Sequence, residues 1–235
     1  MRQMRGIISV FLSLVLPVTQ SVYRNDSERQ IYCHAPNGEN CIALTFDDGP
    51  HPAYTEEILQ ILEEYGVKAT FFAIGENVQQ YPDVFETILE KGHEVGNHTF
   101  SHPHLQHENG ERLTRELEQT ESLLASKGAL GTKLFRPPEG VCSDAVCKAA
   151  RGLGYAIILW TVDTRDWCHT SSSQIAQTVM GSVKSGDIIL FHDYVTKPSP
   201  TPEALRIMIP QLLEKGYRFV TVSELLGFLT RLQVS

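Results

Sequence analysis

Cys41-Ile42-Ala43-Leu44-Thr45-Phe46-Asp47-Asp48-Gly49-Pro50 is an apolar run that ends in two adjacent carboxylates and then a turn. A strand does not normally bury two charges at its end, and Gly-Pro directly after the pair takes the chain out of the sheet. Both acids therefore belong at the rim of a core. Asp-Asp-Gly is also a common surface turn, so the weight of this stretch depends on what surrounds it.

Working outward, strands and helices alternate. Ile58, Leu59, Ile61 and Leu62 give helical spacing between Thr55 and Tyr65, with Thr55 as its cap and Gly66 at its end. Lys68 to Gly75 reads as a buried strand, Pro82 to Lys91 as helix, and His93 to Gly96 as a short strand. Glu111 to Lys127 is a longer helix patterned by Leu113, Leu117, Leu123 and Leu124, and Thr132 to Phe135 a short strand. The second half continues with helix from Ser143 to Leu153 and strand from Tyr155 to Val162. Helix from Ser173 to Lys184, strand from Asp187 to Phe191, helix from Pro202 to Lys215 and strand from Tyr217 to Val222 follow, with a terminal helix from Ser223. This rhythm implies right-handed crossovers and a parallel sheet. Because the strands are apolar on both faces, the expected fold is α/β, a distorted (β/α) barrel of about seven parallel strands.

The chain has 235 residues, 42% of them hydrophobic, and no repeat or low-complexity tract, which suits one domain over residues 22–235. Its formal charge of -8, without a Lys/Arg cluster, argues against nucleic acid or an anionic membrane surface and favours a neutral substrate. Arg2 and Arg5, the apolar stretch Ile7 to Val18 and Thr19-Gln20-Ser21 read as a secretory signal over residues 1–21. That stretch is about a dozen residues where a membrane span needs about 20, so no anchor is expected. A monomer in an extracellular or cell-wall location is the resulting expectation. Secretion permits disulfides, and five cysteines leave one over. Cys142 with Cys147, and Cys33 with Cys41 across a Pro-Asn-Gly turn, are the expected pairs, with Cys168 a buried structural thiol. Of two sequons, Asn25-Asp26-Ser27 and Asn97-His98-Thr99, the second is expected to stay unmodified.

The polar outliers fall just after strand ends: Asp47 and Asp48, then His98 and His102, Arg136, Asp163 and Asp166, and His192-Asp193. Barrels of this kind collect their chemistry there. His98 and His102 are four apart, which on one turn of helix puts both imidazoles on one face. One nearby carboxylate would complete a two-His, one-Asp set, suited to Zn²⁺ or a related divalent ion with coordination positions left open. His51, His104 and His107 read as solvent-facing loop residues.

At these residues the chain resembles the polysaccharide deacetylases of carbohydrate esterase family 4, which include chitin deacetylases, peptidoglycan deacetylases and acetylxylan esterases. Thr45-Phe46-Asp47-Asp48-Gly49 resembles the first family motif and His98-Thr99-x-x-His102 the second. Arg136-Pro137-Pro138, Asp163-x-x-Asp166-Trp167 and Leu190-Phe191-His192 resemble the third, fourth and fifth, in order over roughly residues 40–225.

The resemblance implies Asp48, His98 and His102 as ligands of a divalent metal, Zn²⁺ first, with Co²⁺ or Mn²⁺ as alternatives. It implies Asp47 as general base toward water, His192 as general acid, and Asp166, or alternatively Asp163, as the partner of His192. Arg136 would pair with Asp47, a backbone N–H of the third motif would face the oxyanion, and Leu190 and Trp167 would wall a pocket for the acetyl methyl. The family usually has Tyr where this chain has Glu139, a carboxylate tolerable near an oxyanion only if it turns outward, where it would touch substrate sugars. Tyr194 joins Trp167 on an aromatic rim.

The expected activity is that of a secreted, fungal-type chitin deacetylase, removing N-acetyl groups from N-acetylglucosamine units of chitin or chitooligosaccharides and releasing acetate. The same chemistry on peptidoglycan or O-acetyl xylan is the nearest alternative. A polysaccharide-binding module that has lost activity is the non-enzyme alternative, and a glycosidase barrel would need paired acids that adjacent Asp47 and Asp48 do not supply.

Overall fold

A computed structural model describes residues 25–36, 39–106, 110–131, 133–168, 170–195 and 198–227. The expected signal sequence, Thr132 and His107 lie outside them. Among the described residues, no helix is long and apolar enough to cross a membrane.

The chain builds β1 (Ile31–Tyr32), β2 (Cys41–Asp47), α1 (Tyr54–Glu64), β3 (Thr70–Ala73), α2 (Gly75–Gln80), α3 (Pro82–Glu90) and β4 (Glu94–Asn97). Next come α4 (Gly110–Ser126), β5 (Leu134–Phe135), α5 (Asp144–Gly152), β6 (Ala156–Ile158), β7 (Val162–Asp163) and α6 (Ser172–Ser182). β8 (Ile188–His192), α7 (Thr201–Glu214), β9 (Arg218–Phe219) and α8 (Val222–Leu225) complete it. The strands pair in the order β1-β6-β5-β4-β3-β2-β8-β7, with β9 also on β2, and every ladder is parallel. This is the expected parallel α/β fold, a half-barrel with helices around it.

The strand number differs from seven for local reasons. β1 is only two residues, too short to show an apolar period, and the expected strand from Tyr217 to Val222 is present but shortened to β9. The single run expected from Tyr155 to Val162 divides at Leu159-Trp160-Thr161. Its first half pairs with β5 and β1, and its second half with β8. Leu159 N–H donates to the Tyr32 carbonyl (2.8 Å) and Thr161 N–H to the Ile188 carbonyl (3.0 Å), so this segment bridges the two ends of the strand order. The predicted strand through Gly75 stops at Ala73 because Gly75 opens α2, a helix the sequence did not announce.

Period-two alternation places the chemistry. Ile42, Leu44 and Phe46 face outward into one cluster with Ile58, Leu62, Met208 and Leu212 of α1 and α7. Ala43 instead shares a cluster with Phe72, Leu134, Ile158 and Ile188, joined by Val222 and Leu225 of α8. Thr45 and Asp47, in phase with Ala43, therefore point into the barrel, and α8 packs against the same interior cluster. Phe46 stacks between Phe71 (5.0 Å between centroids) and Phe191 (5.7 Å). A slip of one residue would put that ring inside and expel the acid.

No disulfide joins the cysteines among the described residues. The Cys33–Cys41 pairing fails because β1 and β2 are not neighbours: the turn between them is not a hairpin, and β1 pairs with β6. Cys33 Sγ lies 3.3 Å from Asn25 Oδ1, while Cys41 Sγ lies 3.1 Å from the Arg218 guanidinium. Cys142 and Cys147 do lie together, with Cys147 Sγ directed at the Cys142 carbonyl at 3.8 Å, but they are not bonded. Cys168 is exposed rather than buried. The sequon residue Asn97 is buried, its amide donating to the Leu117 carbonyl (3.0 Å) and Tyr155 Oη (2.9 Å).

Candidate active site

The carboxyl ends of β2, β4, β5 and β8 deliver the predicted residues to one place. Asp48 Oδ1 lies 3.3 Å from His98 Nε2 and 3.4 Å from His102 Nε2. His98 and His102 do not lie on a helix. They lie on the loop after β4, where Thr99 (φ 69°) and His102 (φ 50°) adopt left-handed conformations that fold the loop back. The four-residue spacing is satisfied by a tight loop instead, with His102 N–H donating to Thr99 Oγ1 at 3.2 Å.

This donor set fits a divalent ion. Two ligands each about 2.1 Å from a tetrahedral centre stand about 3.4 Å apart, close to the separations seen. Asp48 Oδ1 is buried with no hydrogen-bond partner among the described residues, an orphan that a cation would satisfy. The other ring nitrogen of His98 lies 2.7 Å from the Arg136 carbonyl, which fixes Nδ1 as the protonated atom and leaves the Nε2 lone pair toward Asp48. Burial works against charge on Asp48, but the adjacent His98, with His192 and His102 nearby, outweighs it and brings the carboxyl down to about 2. The three candidate ligand atoms lie within 4.8 Å of one another.

Asp47 is buried beside this set, its Oδ2 4.0 Å from His98 Nε2 and its Oδ1 2.8 Å from Arg136 Nη1. Arg136 is fully buried in the barrel. Its guanidinium also donates to Thr45 Oγ1 (2.7 Å) and to the carbonyls of Ile158 (3.1 Å) and Leu159 (3.3 Å), and it lies over the rings of Phe72 and Trp160. A cation this well satisfied cannot rotate away from Asp47, so the carboxylate stays aimed.

His192 ends β8 in register with Asp47. Asp166 takes its backbone N–H (2.8 Å) and its Nδ1 (2.7 Å), and also accepts from Thr201 Oγ1 (2.6 Å). Burial disfavours the imidazolium, but the Asp166 hydrogen bond and charge, with Asp48 and Asp47 behind them, raise His192 to about 9. Asp163 does not bind His192. Its Oδ1 accepts the Arg165 N–H (2.9 Å), the turn-stabilising role of an ordinary loop aspartate. Burial raises its carboxyl above the ordinary value.

Leu190 is buried on the inward face of β8, while Trp167 and Tyr194 are exposed large side chains near the mouth. Glu139 is left-handed (φ 57°), and its side chain turns outward to meet His104 Nδ1 at 2.7 Å. A cleft lined by Asp48, Ile74, Asn77, His102, Tyr194 and Val195 opens at this candidate metal site.

His51 is buried, contrary to the solvent-facing reading. Its Nδ1 accepts the N–H groups of Ala53 and Tyr54 (3.2 Å each), and its ring packs on Tyr54 and Tyr194. It therefore caps α1, the job expected of Thr55, and Thr55 instead donates to Asp193 Oδ2 at 2.6 Å. Asn77, Asp193 and Thr201 were assigned no role from sequence. Only Asp193 carried a signal, as a second polar residue closing an apolar strand.

Comparison with known proteins agrees with this architecture. A family model described as polysaccharide deacetylase matches residues 34–158. A peptidoglycan-N-acetylglucosamine deacetylase of Bacillus cereus is 43% identical over 82% of this chain and 91% of its own length. A chitooligosaccharide deacetylase of Sinorhizobium fredii is 35% identical over 77% of this chain and 89% of its own. Among solved structures, the Bc1960 peptidoglycan N-acetylglucosamine deacetylase superposes with a TM-score of 0.82 at 35% identity, covering 86% of this chain and 94% of that one. A family 4 acetyl xylan esterase from Clostridium thermocellum, in complex with a cobalt ion, gives 0.75 at 34% identity, covering 80% and 91%. These relatives are bacterial rather than fungal. The chain belongs to the polysaccharide deacetylase family.

Proposed function

We propose that this protein is a metal-dependent hydrolase that removes the N-acetyl group from N-acetylglucosamine units of peptidoglycan, releasing acetate. The observation that carries the reading is the convergence of Asp48, His98 and His102 beside two separately braced groups, Asp47 on Arg136 and His192 on Asp166.

A divalent ion held by Asp48, His98 and His102 would act as a Lewis acid toward water and the acetyl carbonyl. Asp47, held by Arg136, accepts the proton of the attacking water as its oxygen bonds to the carbonyl carbon. The N–H of Glu139, in the left-handed turn after Arg136, faces the oxyanion, and its carboxylate is kept away by His104. His192, kept protonated by Asp166, gives its Nε2 proton to the amide nitrogen as the C–N bond breaks, so that an amine leaves and acetate remains. Leu190 and Trp167 border the methyl, and Tyr194 lines the sugar cleft.

Peptidoglycan is preferred over the chitin expected from sequence because the Bacillus cereus relative covers most of both chains at higher identity than the chitooligosaccharide enzyme does. The second reading, chitooligosaccharides, rests on that rhizobial relative. Zn²⁺ or Co²⁺ suits the nitrogen and oxygen donors. Action outside the cytoplasm accords with a polymeric wall substrate and with the export signal expected in residues 1–21.

Acetate release from peptidoglycan fragments, chitopentaose and acetylxylan, with and without chelator and re-added Zn²⁺, tests the proposal. Release from peptidoglycan fragments that chelator abolishes and Zn²⁺ restores is expected. Release from acetylxylan alone, or from none of the three, overturns it.

A further inference from the structure

Asp48 holds its carboxylate between the two imidazoles from a backbone that an L residue rarely adopts, with φ of 76°. Such a conformation persists only where the surroundings over-determine it. Two residues meet the peptides on either side of it. Asn77, in the first turn of α2, donates from Nδ2 to the Asp48 carbonyl at 2.7 Å. Asp193, fully buried after β8, lies directly against Gly49, where a Cβ would come within 2.0 Å of Asp193 Oδ2. Its backbone N–H donates to the Asp47 carbonyl at 3.1 Å. Thr55 ties the assembly to α1, donating from Oγ1 to Asp193 Oδ2 (2.6 Å) and accepting the His51 N–H (2.8 Å). The remaining oxygen, Asp193 Oδ1, is buried and has no hydrogen-bond partner among the described residues, so this carboxylate is retained at a cost that folding alone does not explain.

We infer that Asn77 and Asp193 are positioning residues for the metal centre, forming a clamp that holds the Asp48 backbone left-handed so that Asp48 faces His98 and His102. Asn77 fixes the carbonyl that the left-handed turn rotates outward. Asp193, steadied by Thr55, forms the floor on which Gly49 rests, and only glycine leaves room for it. The clamp explains why a left-handed aspartate is tolerated where glycine would be easier: the strain is borne so that the ligand faces the ion. This inference rests on the reading of Asp48, His98 and His102 as metal ligands.

The test is the Zn²⁺ dissociation constant of the apo protein, measured by competition with a fluorescent chelator, with thermal melting of the same samples to establish that they are folded. Asn77→Leu keeps the volume, removes the donor and sits in a partly buried position, so it should fold. Thr55→Val removes the tie to Asp193 without changing shape, and Asp193→Ala removes the floor. Asn77→Leu and Asp193→Ala should each weaken Zn²⁺ binding at least tenfold, within the roughly 10–100-fold range of residues that orient metal ligands. Thr55→Val should fall between them and wild type. A folded Asn77→Leu protein that binds Zn²⁺ within twofold of wild type overturns the clamp while leaving the ligand assignment intact. Absence of Zn²⁺ binding by the wild-type protein, matching Asp48→Ala, removes both.

Discussion

Replacing Asp166 with Asn tests whether Asp166 keeps a proton on His192, the proposed acid. His192 is raised to about 9 against an ordinary value of 6.5, chiefly because Asp166 overcomes the burial that would otherwise lower it. Without that charge, burial drives His192 back toward its ordinary 6.5. At pH 8 a group titrating at about 9 is about 90% protonated and one at 6.5 about 3%, so a full return to 6.5 lowers the rate roughly 30-fold from protonation alone. The deficit should shrink toward pH 6 and grow about tenfold per pH unit between the two pKa values. A divalent cation in the site opposes the imidazolium in both proteins, so the separation of their profiles, and not their absolute position, carries the prediction. The assay is kcat against pH from 6 to 9.5 at saturating Zn²⁺. An Asp166→Asn profile parallel to wild type at every pH would refute the reasoning, because Asp166 would then only place the ring.

Asp47→Asn should reduce turnover by about 10²–10⁴-fold while Zn²⁺ still binds, whereas Asp48→Ala should lose both, as acetate release and chelator competition would show. Arg136→Met leaves the buried Asp47 carboxylate without its cation and should destabilise the fold by about 3–5 kcal/mol in urea denaturation. His93 accepts the Ala69 N–H on Nδ1, and burial, with Lys68 and Lys91 nearby, lowers it to about 4. A folded pKa below the unfolded 6.5 means that its contribution is full above 6.5 and lost as pH falls through 4. His93→Gln should therefore flatten the acid side of the stability curve by about 3 kcal/mol, and an unchanged acid transition would count against this account.

Much of the site was legible because it sits at strand ends, where an apolar run that stops in charged residues is visible in one dimension. Asp47, Asp48, Arg136 and His192 all carry that signal. The His98/His102 spacing was legible too, although a folded-back loop rather than a helix realises it, since left-handed Thr99 has no sequence marker. Glu139 was recognisable as a departure, but its outward turn depends on His104, a neighbour only in space. The choice of Asp166 over Asp163 was open in sequence because both flank one loop. It was decided by which carboxylate can reach both the backbone and the ring of His192. The Cys33–Cys41 pair failed for the converse reason: nearness along the chain says nothing about whether two strands are neighbours.

The sequence by itself determined the alternation of strands and helices, the parallel barrel, and the residues that crowd its rim, because burial on both faces leaves a periodic, local imprint. Only the tertiary structure decided which partner each charged group has, which loop residues turn left-handed, and that Asn77 and Asp193 lie against the Asp48-Gly49 turn. Those are contacts between segments far apart in the chain, fixed by packing to within a fraction of an ångström, and no local pattern records them.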